Sequence, residues 1–200
     1  MKIKNTLKVR LTLMEEALGT SSNNPDLHGT YIASRAPDAA TMEEEIEALG
    51  IEGVVDRAMT VFPKLNGQPF VYDFQIKGFF KDAAKAMRKV PGTVSSKVKA
   101  YKQEIDGLVF VQPRCIVYDM HGGEMGECQR PLRASTPQGE RVSIAHSETV
   151  PAGSTLEFEV LCMTDQMEDL VRELLEYGQL RGLSQWRNSG KGRFTHKILK

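Results

Sequence analysis

The chain has 200 residues, of which 40% are hydrophobic, and this is enough for one domain with a substantial core. Its 26 basic and 26 acidic residues cancel to zero net charge, and a chain of this composition, with 26% charged residues, is not disordered throughout. Because no run of about 18 apolar residues occurs and no apolar segment follows the basic start, we expect neither a membrane span nor a secretory signal.

The first third of the chain predicts one strand, a long polar insertion and a hairpin turn. Residues 1–12 alternate between apolar and mostly basic side chains, which is the period of a strand with one buried face. Residues 19–37 are rich in turn formers, and residues 42–49 predict a short acidic helix. The Asn66-Gly67 dipeptide is typical of a hairpin turn. The stretch from about 19 to 66 is too long for a bare connection, so we expect an inserted subdomain there.

The middle third predicts a helix among short strands. Residues 71–76 predict a strand, and residues 78–89 predict a helix with an apolar stripe and a basic face. Two further strands are predicted at 108–111 and 115–118. Residues 121–138 are predicted to be mostly loop.

The last third contains the strongest helical pattern of the chain. Apolar residues recur at helical spacing over 166–177, with Asp165 as the predicted N-cap and Gly178 as the predicted C′ residue. The strands predicted around this helix cover residues 142–150, 156–162 and 193–199. This order predicts an α+β domain over residues 1–200, of the ferredoxin-like (RRM-like) type, with an antiparallel sheet, two packed helices and an inserted subdomain.

The zero net charge hides three strongly charged segments. Residues 77–102 contain eight lysines or arginines and one acid, and residues 181–200 contain six basic residues and no acid. Residues 38–56 contain seven acids and no base. Because phosphate binding depends on local basic surface, the two basic segments are candidates for contact with nucleic acid. Solvated faces without a partner are the alternative interpretation.

The segment Gly182-Leu183-Ser184-Gln185-Trp186-Arg187-Asn188-Ser189-Gly190-Lys191-Gly192-Arg193-Phe194 carries the most specific pattern. Its glycines allow the backbone to approach a ligand closely, and successive N–H groups can bind an anion. Trp186 offers a face on which a base can stack, and Arg187, Lys191 and Arg193 add positive charge. A flexible basic loop with a structural tryptophan is the alternative.

This segment resembles the glycine-rich loop of RAMP proteins, which consists of G-hydrophobic-G, five residues and a second G-hydrophobic-G. Gly182, Gly190 and Gly192 match at the right spacing. Ser184 replaces the second glycine of the motif, and Lys191 replaces the second hydrophobic residue.

Three other stretches resemble the branch of that superfamily that contains the backbone subunits of CRISPR effector complexes. Residues 67–70 followed by 76–81 resemble the family's G-x-P-Y-I-P-G-S-S-L-K-G entry to the first helix, without its proline and serines. Residues 150–158 resemble its P-x-G-T-x-F hairpin. The opening strand with Leu18-Gly19 resembles its first strand and glycine turn.

The resemblance implies a backbone-type subunit that holds guide RNA through the RNA backbone, within a CRISPR-like ribonucleoprotein of antiviral defence. Its implied partners are single-stranded guide RNA, other subunits of the complex and further copies of itself in a homo-oligomer. The residues predicted to bind RNA are Lys77, Lys81, Arg133, Arg181, Gly182, Trp186, Arg187, Gly190, Lys191, Gly192 and Arg193.

Two other functions stay open from the sequence. A metal-dependent ribonuclease of the same fold would use an aspartate after the first strand, for which Asp26 and His28 are the candidates. A cap on a local turn is the alternative role for Asp26. A protein-interaction subunit, such as a mimic from a phage or mobile element, would fit the acidic insertion.

Cysteine and histidine spacing gives no sign of a metal or a cofactor. Cys115, Cys128 and Cys162 are odd in number and far apart, which favours neither a disulfide framework nor a zinc ribbon. The remaining histidines are scattered, so we expect no metal, no cofactor and a cytoplasmic, reducing location.

Overall fold

The computed structural model describes residues 5–23, 59–136 and 139–199, with the backbone alone for residues 132–143. Within these residues, two β-sheets and four α-helices form an α+β structure in which the strand pairs are antiparallel, with one exception. No helix among them is both long and apolar enough to cross a membrane. The acidic helix predicted over 42–49 lies outside the described residues.

In chain order the strands are β1 (Asn5–Leu13), β2 (Ala17–Leu18), β3 (Ser21–Ser22), β4 (Thr60–Val61), β5 (Lys64–Leu65), β6 (Gln68–Tyr72), β7 (Val109–Gln112), β8 (Cys115–Asp119), β9 (Gly126–Thr136), β10 (Gly139–Val150), β11 (Thr155–Cys162) and β12 (Phe194–Leu199). The larger sheet has the order β12-β1-β11-β8-β6-β5, and β7 also pairs with β11. Strand β1, second from the β12 edge, buries Leu7, Val9, Leu11 and Leu13 on one face, which confirms the alternation predicted for the start of the chain.

The helices are α1 (Asp73–Met87), α2 (Val94–Lys97), α3 (Tyr101–Leu108) and α4 (Asp165–Glu176). The first begins before the predicted residue 78, because the Gln75 side chain accepts the Tyr72 N–H at 2.8 Å and closes the first turn. Residues 73–76 are therefore helical, and the strand predicted over 71–76 ends at Tyr72. Helices α2 and α3 were not predicted.

The ends of α4 differ from the prediction. Thr164, and not Asp165, is the N-cap, since its Oγ1 accepts the Met167 N–H at 3.2 Å. Gly178 does not adopt a positive φ and lies within a 3₁₀ turn, Tyr177–Gln179. A Cβ on Gly178 would overlap the buried Phe194 ring, so this glycine is required for packing.

A long antiparallel hairpin of β9 and β10 overturns the prediction of loop over 121–138. The two strands pair from Gly126 with Thr149 to Thr136 with Gly139. The polar composition of β9 and its Pro131 made this segment resemble a loop in the sequence. Within the described residues β9 pairs with β10 alone, and an edge strand of this kind tolerates proline. In the second sheet β10 also joins β2 and β4.

The Asn66-Gly67 turn is confirmed. It joins β5 to β6, and the φ angles of 52° and 81° are those of a two-residue hairpin turn with both central residues left-handed.

Replacing Gly178 with alanine should destabilise the protein through a steric clash. We expect Gly178→Ala to lower the free energy of unfolding by about 1–3 kcal/mol, because Phe194 must move within a packed core. Urea denaturation measures the change. Gly78→Ala is the matched control, since its Cβ meets nothing within 4 Å in the middle of α1 and should add about 0.5–1 kcal/mol of stability. Equal effects in the two variants would contradict this role of Gly178.

Candidate nucleic-acid interface

The glycine-rich loop closes on itself through direct backbone contact. The Leu183 N–H donates to the Gly192 carbonyl at 2.9 Å. A Cβ on Gly182 would overlap the Gly192 carbonyl group, and a Cβ on Gly192 would overlap the Leu183 oxygen. Gly192 and Gly190 also have φ of 67° and 82°. The glycines predicted to let a ligand approach therefore bring the two arms of the loop together.

The same loop is fastened to the segment that follows β1. The Gly192 N–H donates to the Glu16 carbonyl at 2.8 Å, and the Met14 N–H donates to the Arg193 carbonyl at 2.7 Å. Two side-chain ion pairs reinforce this junction: Lys191 Nζ lies 2.6 Å from Glu16 Oε1, and Arg193 Nη2 lies 3.2 Å from Glu15 Oε1. The hydrogen bond that Lys191 donates to Glu16 raises the pKa of Lys191, and partial burial opposes this shift.

Two further loop cations share one carboxylate. Arg181 Nε and Arg187 Nη1 lie 2.6 and 3.0 Å from the same oxygen of Asp82, on α1. Arg181 also donates to the Asn188 side chain at 2.8 Å. The three cations predicted within the loop and Arg181, which precedes it, therefore all have an internal partner, and three carboxylates oppose their four positive charges.

The other predicted cations lie apart from the loop. Lys77 and Lys81 both approach Asp106 on α3, with shortest Nζ–carboxylate distances of 4.0 and 2.9 Å. The backbone of Arg133 belongs to β9, and its side chain lies outside the described part of the structure.

Trp186 contacts an arginine that the sequence analysis did not select. The guanidinium carbon of Arg130, on β9, lies 3.9 Å from the centroid of the indole ring, and its Nη2 donates to Gln185 Oε1 at 3.1 Å. Arg130 is only 6% exposed, and its Nε and Nη1 have no acceptor within the described residues. Burial lowers the pKa of Arg130. Fifty-six positions separate the two residues, so only the folded hairpin brings them together.

A cleft opens beside the indole ring. It has a volume of about 600 Å³ and is lined by Arg181, Ser184, Gln185, Trp186, Arg187, Asn188 and Ser189. Trp186 itself holds a left-handed φ of 56°, which costs an ordinary residue roughly 1–3 kcal/mol and is found most often at functional sites. The cleft combines an aromatic ring, two arginines and three short polar side chains, a set suited to a base and its phosphate.

The exposed face of the larger sheet carries paired charges. Lys8 and Glu159 occupy paired positions of β1 and β11, as do Arg10 and Glu157, with shortest charge-pair distances of 3.7 and 2.6 Å. RNA-binding sheets of the RRM type present aromatic rings at such positions. This part of the face is electrically neutral and lacks the stacking residues of that type.

The structure does not test the two catalytic candidates of the sequence. Asp26 and His28 lie outside the described residues. His146 Nε2 lies 2.8 Å from Glu127, whereas Glu148 accepts from the Phe62 N–H and from Lys64. The described residues contain no group of three or more His, Cys, Asp or Glu side chains arranged to hold a metal.

Solved structures resemble the chain in fold. A chain of the cryo-electron microscopy structure of the type III-B Cmr-beta bound to cognate target RNA superposes with a TM-score of 0.56 at 11% identity, over 98% of this chain and 58% of that one. Cmr6 from Pyrococcus furiosus superposes with a TM-score of 0.49 at 11% identity, over 96% of this chain and 98% of that one. A chain of a type IV-B CRISPR complex superposes with a TM-score of 0.48 at 10% identity, over 98% of this chain and 90% of that one. Neither protein-family models nor curated protein sequences match the chain.

The first of these structures contains a chain that shares its fold with this one. This chain spans 58% of the length of that structure's chain, and at 11% identity the likeness concerns the fold.

Removing the carboxylate of Glu16 should loosen the loop in a pH-dependent way. Because the pKa of Lys191 is raised in the folded state, the pair stabilises the protein below the ordinary lysine pKa of 10.5, and this stability is lost as the pH rises through the raised value. Glu16→Gln should cost about 0.2–1 kcal/mol at neutral pH, since the pair is partly exposed, and much less above the raised pKa. Urea denaturation of the wild-type protein and the variant, at neutral pH and at a pH above the raised pKa of Lys191, measures the loss of stability. An equal loss at the two pH values would contradict this role of the pair.

Proposed function

We propose that the protein is an RNA-binding, backbone-type subunit of a CRISPR-like ribonucleoprotein and holds single-stranded guide RNA chiefly through its phosphates. The cleft beside Trp186 carries the proposal, since it places one aromatic ring between arginines at the motif that resembles the RAMP glycine-rich loop. The fold likeness to a chain from an RNA-bound structure supports it. In this proposal residues 1–200 form one ferredoxin-like domain with an insertion at about 19–66.

The loop residues divide into two roles under this proposal. Arg181 and Arg187 line the cleft, and a phosphate would compete with Asp82 for their guanidinium groups. Lys191 and Arg193 face Glu16 and Glu15 at the end of β1, where they position the loop. Arg130 supports the indole ring from one side, so that a base would stack on the other.

The chain contains one tryptophan, so its fluorescence reports directly on the cleft. We expect a single-stranded RNA to quench the Trp186 emission on binding, and we expect Trp186→Leu to weaken the affinity by about 1–3 kcal/mol because a base can no longer stack there. Fluorescence anisotropy with labelled RNA, with circular dichroism to confirm folding, measures the affinity. RNA binding that leaves the emission unchanged would contradict the stacking role.

Arg187→Gln and Lys197→Gln form a matched pair for this experiment. Each removes one positive charge from the basic segment 181–200, but only Arg187 lines the cleft, and the exposed Lys197 lies outside the loop. RNA affinity should fall in the first variant and stay close to wild type in the second. If the wild-type protein binds no RNA even at low salt, the proposed function is wrong.

The proposal includes head-to-tail association of copies of the chain. The acidic segment 38–56 and several basic segments occur on one chain, and a contact between two unlike surfaces gives an open chain of copies when it does not close on itself. We expect light scattering to detect assemblies larger than a monomer that dissociate as salt rises. A strict monomer, with and without RNA, would contradict this prediction.

A further inference from the structure

Six exposed cations without a carboxylate partner lie together between the end of α1 and the start of α3. They are Lys85, Arg88, Lys89, Lys97, Lys99 and Lys102, named below the basic ridge. None has a carboxylate oxygen within 4.0 Å among the described residues. Every other lysine or arginine with a described side chain, except Arg130 and Lys197, has such a partner. Uncompensated positive charge is therefore concentrated at one place in the described structure.

One contact within the segment joins the two helices that carry most of the basic ridge. The Arg88 guanidinium carbon lies 5.3 Å from the Tyr101 ring centroid, which brings the end of α1 to the start of α3. Lys85 and Lys89 lie within one helical turn of Arg88, and Lys99 and Lys102 flank Tyr101. The end of α1 and the start of α3 are therefore neighbours, and together they carry five of the six cations.

The turn between these helices is held firmly. Thr93 Oγ1 donates to the carbonyl groups of Met87 and Val90 at 3.0 and 2.8 Å and accepts the Ser96 N–H at 3.1 Å. Glu173 of α4 accepts from the N–H groups of Val94 and Ser95 and from the Ser95 hydroxyl at 2.5–3.0 Å. The Glu173 carboxylate therefore accepts hydrogen bonds from the start of α2. These contacts and those of Thr93 order the turn from which the ridge cations project.

We propose that the basic ridge is a second RNA-binding surface, which holds the phosphodiester backbone of single-stranded RNA without reading its sequence. The inference rests on the proposed function and extends it to cations outside the glycine-rich loop, of which Lys85 and Lys89 border the same depression as Asp82 and Arg181. Lys77 and Lys81, the cations predicted in this basic segment, are paired with Asp106, whereas the ridge cations are open to solvent. Phosphates would replace only water and counterions there, and release of those counterions favours binding.

The composition of the ridge favours RNA over an acidic protein. Five of the six cations are lysines, which protein interfaces contain less often than the rest of the surface, and the one aromatic ring in contact with it, Tyr101, is buried. A protein interface of ordinary strength also needs an apolar centre, and Val90 is the one large exposed hydrophobic residue in this segment. Lysine acts as a point charge toward phosphate and needs neither feature.

The test compares two variants of equal net charge. The ridge variant carries Lys85→Ala, Lys89→Ala, Lys99→Ala and Lys102→Ala, and the control carries Lys8→Ala, Arg10→Ala, Lys64→Ala and Lys197→Ala. All eight side chains are exposed, so both variants should fold. Binding of a fluorescein-labelled oligouridylate and a labelled mixed-sequence RNA of equal length is measured by anisotropy over a series of salt concentrations, with circular dichroism as the folding check.

We expect the ridge variant to bind both RNAs more weakly by the same factor. The slope of log affinity against log salt should become less steep by about 0.7 for each phosphate that the variant no longer neutralises, so by up to about 2.8 for four lysines. The control should keep the wild-type slope. An unchanged slope in the ridge variant, with RNA binding intact in the wild type, would overturn this inference and leave the proposed function standing. Equal weakening in both variants would also overturn it, since the effect would then follow net charge.

A competition experiment distinguishes binding of RNA from binding of an acidic protein segment. A polyglutamate peptide of the same charge as the RNA should displace it poorly from the wild-type protein. If the peptide binds as tightly as the RNA and the ridge variant no longer binds it, the surface serves an acidic protein partner and the inference is wrong.

Discussion

The structure around the candidate site depends on the contact of two glycine backbones. Gly182 and Gly192 approach so closely that a single methyl group on either would overlap the other arm of the loop. This contact places the Gly192 N–H on the Glu16 carbonyl and leads the chain into β12, which pairs with β1 at the edge of the larger sheet. The loop is thereby positioned by the sheet, so that Trp186 meets Arg130 of the hairpin.

Charge pairing divides the basic residues into those that hold the fold and those that face solvent. The loop cations lie opposite Glu15, Glu16 and Asp82, and an exposed pair of this kind contributes less than about 1 kcal/mol, so a phosphate can compete for it. Arg130 is different, because its guanidinium is buried with two N–H-bearing nitrogens lacking an acceptor among the described residues. Burying these nitrogens without an acceptor costs free energy, and the cation–π contact between the guanidinium and the indole ring offsets part of that cost.

The sequence predicted the features that depend on local pattern. The alternation of β1, the apolar stripes of α1 and α4 and the Asn66-Gly67 turn all follow from residue spacing, and each is present. It failed where distant contacts decide the structure. Strand β9 is polar and is stabilised by pairing with β10, and the Arg130–Trp186 contact exists only once the hairpin lies against the loop. The basic character of the loop was visible, but its pairing with the carboxylates after β1 was not.

Asp82 explains why the uncompensated charge lies where it does. It is the one acid among residues 77–102, and its position on α1 directs it toward Arg181 and Arg187. The carboxylate therefore fastens the glycine-rich loop to the helix and forms no ion pair within 4.0 Å with a ridge cation. Asp106 similarly takes up Lys77 and Lys81. Because both carboxylates are paired with other cations, the six ridge cations between Lys85 and Lys102 face solvent. The pairing that orders the loop therefore leaves unpaired positive charge beside it.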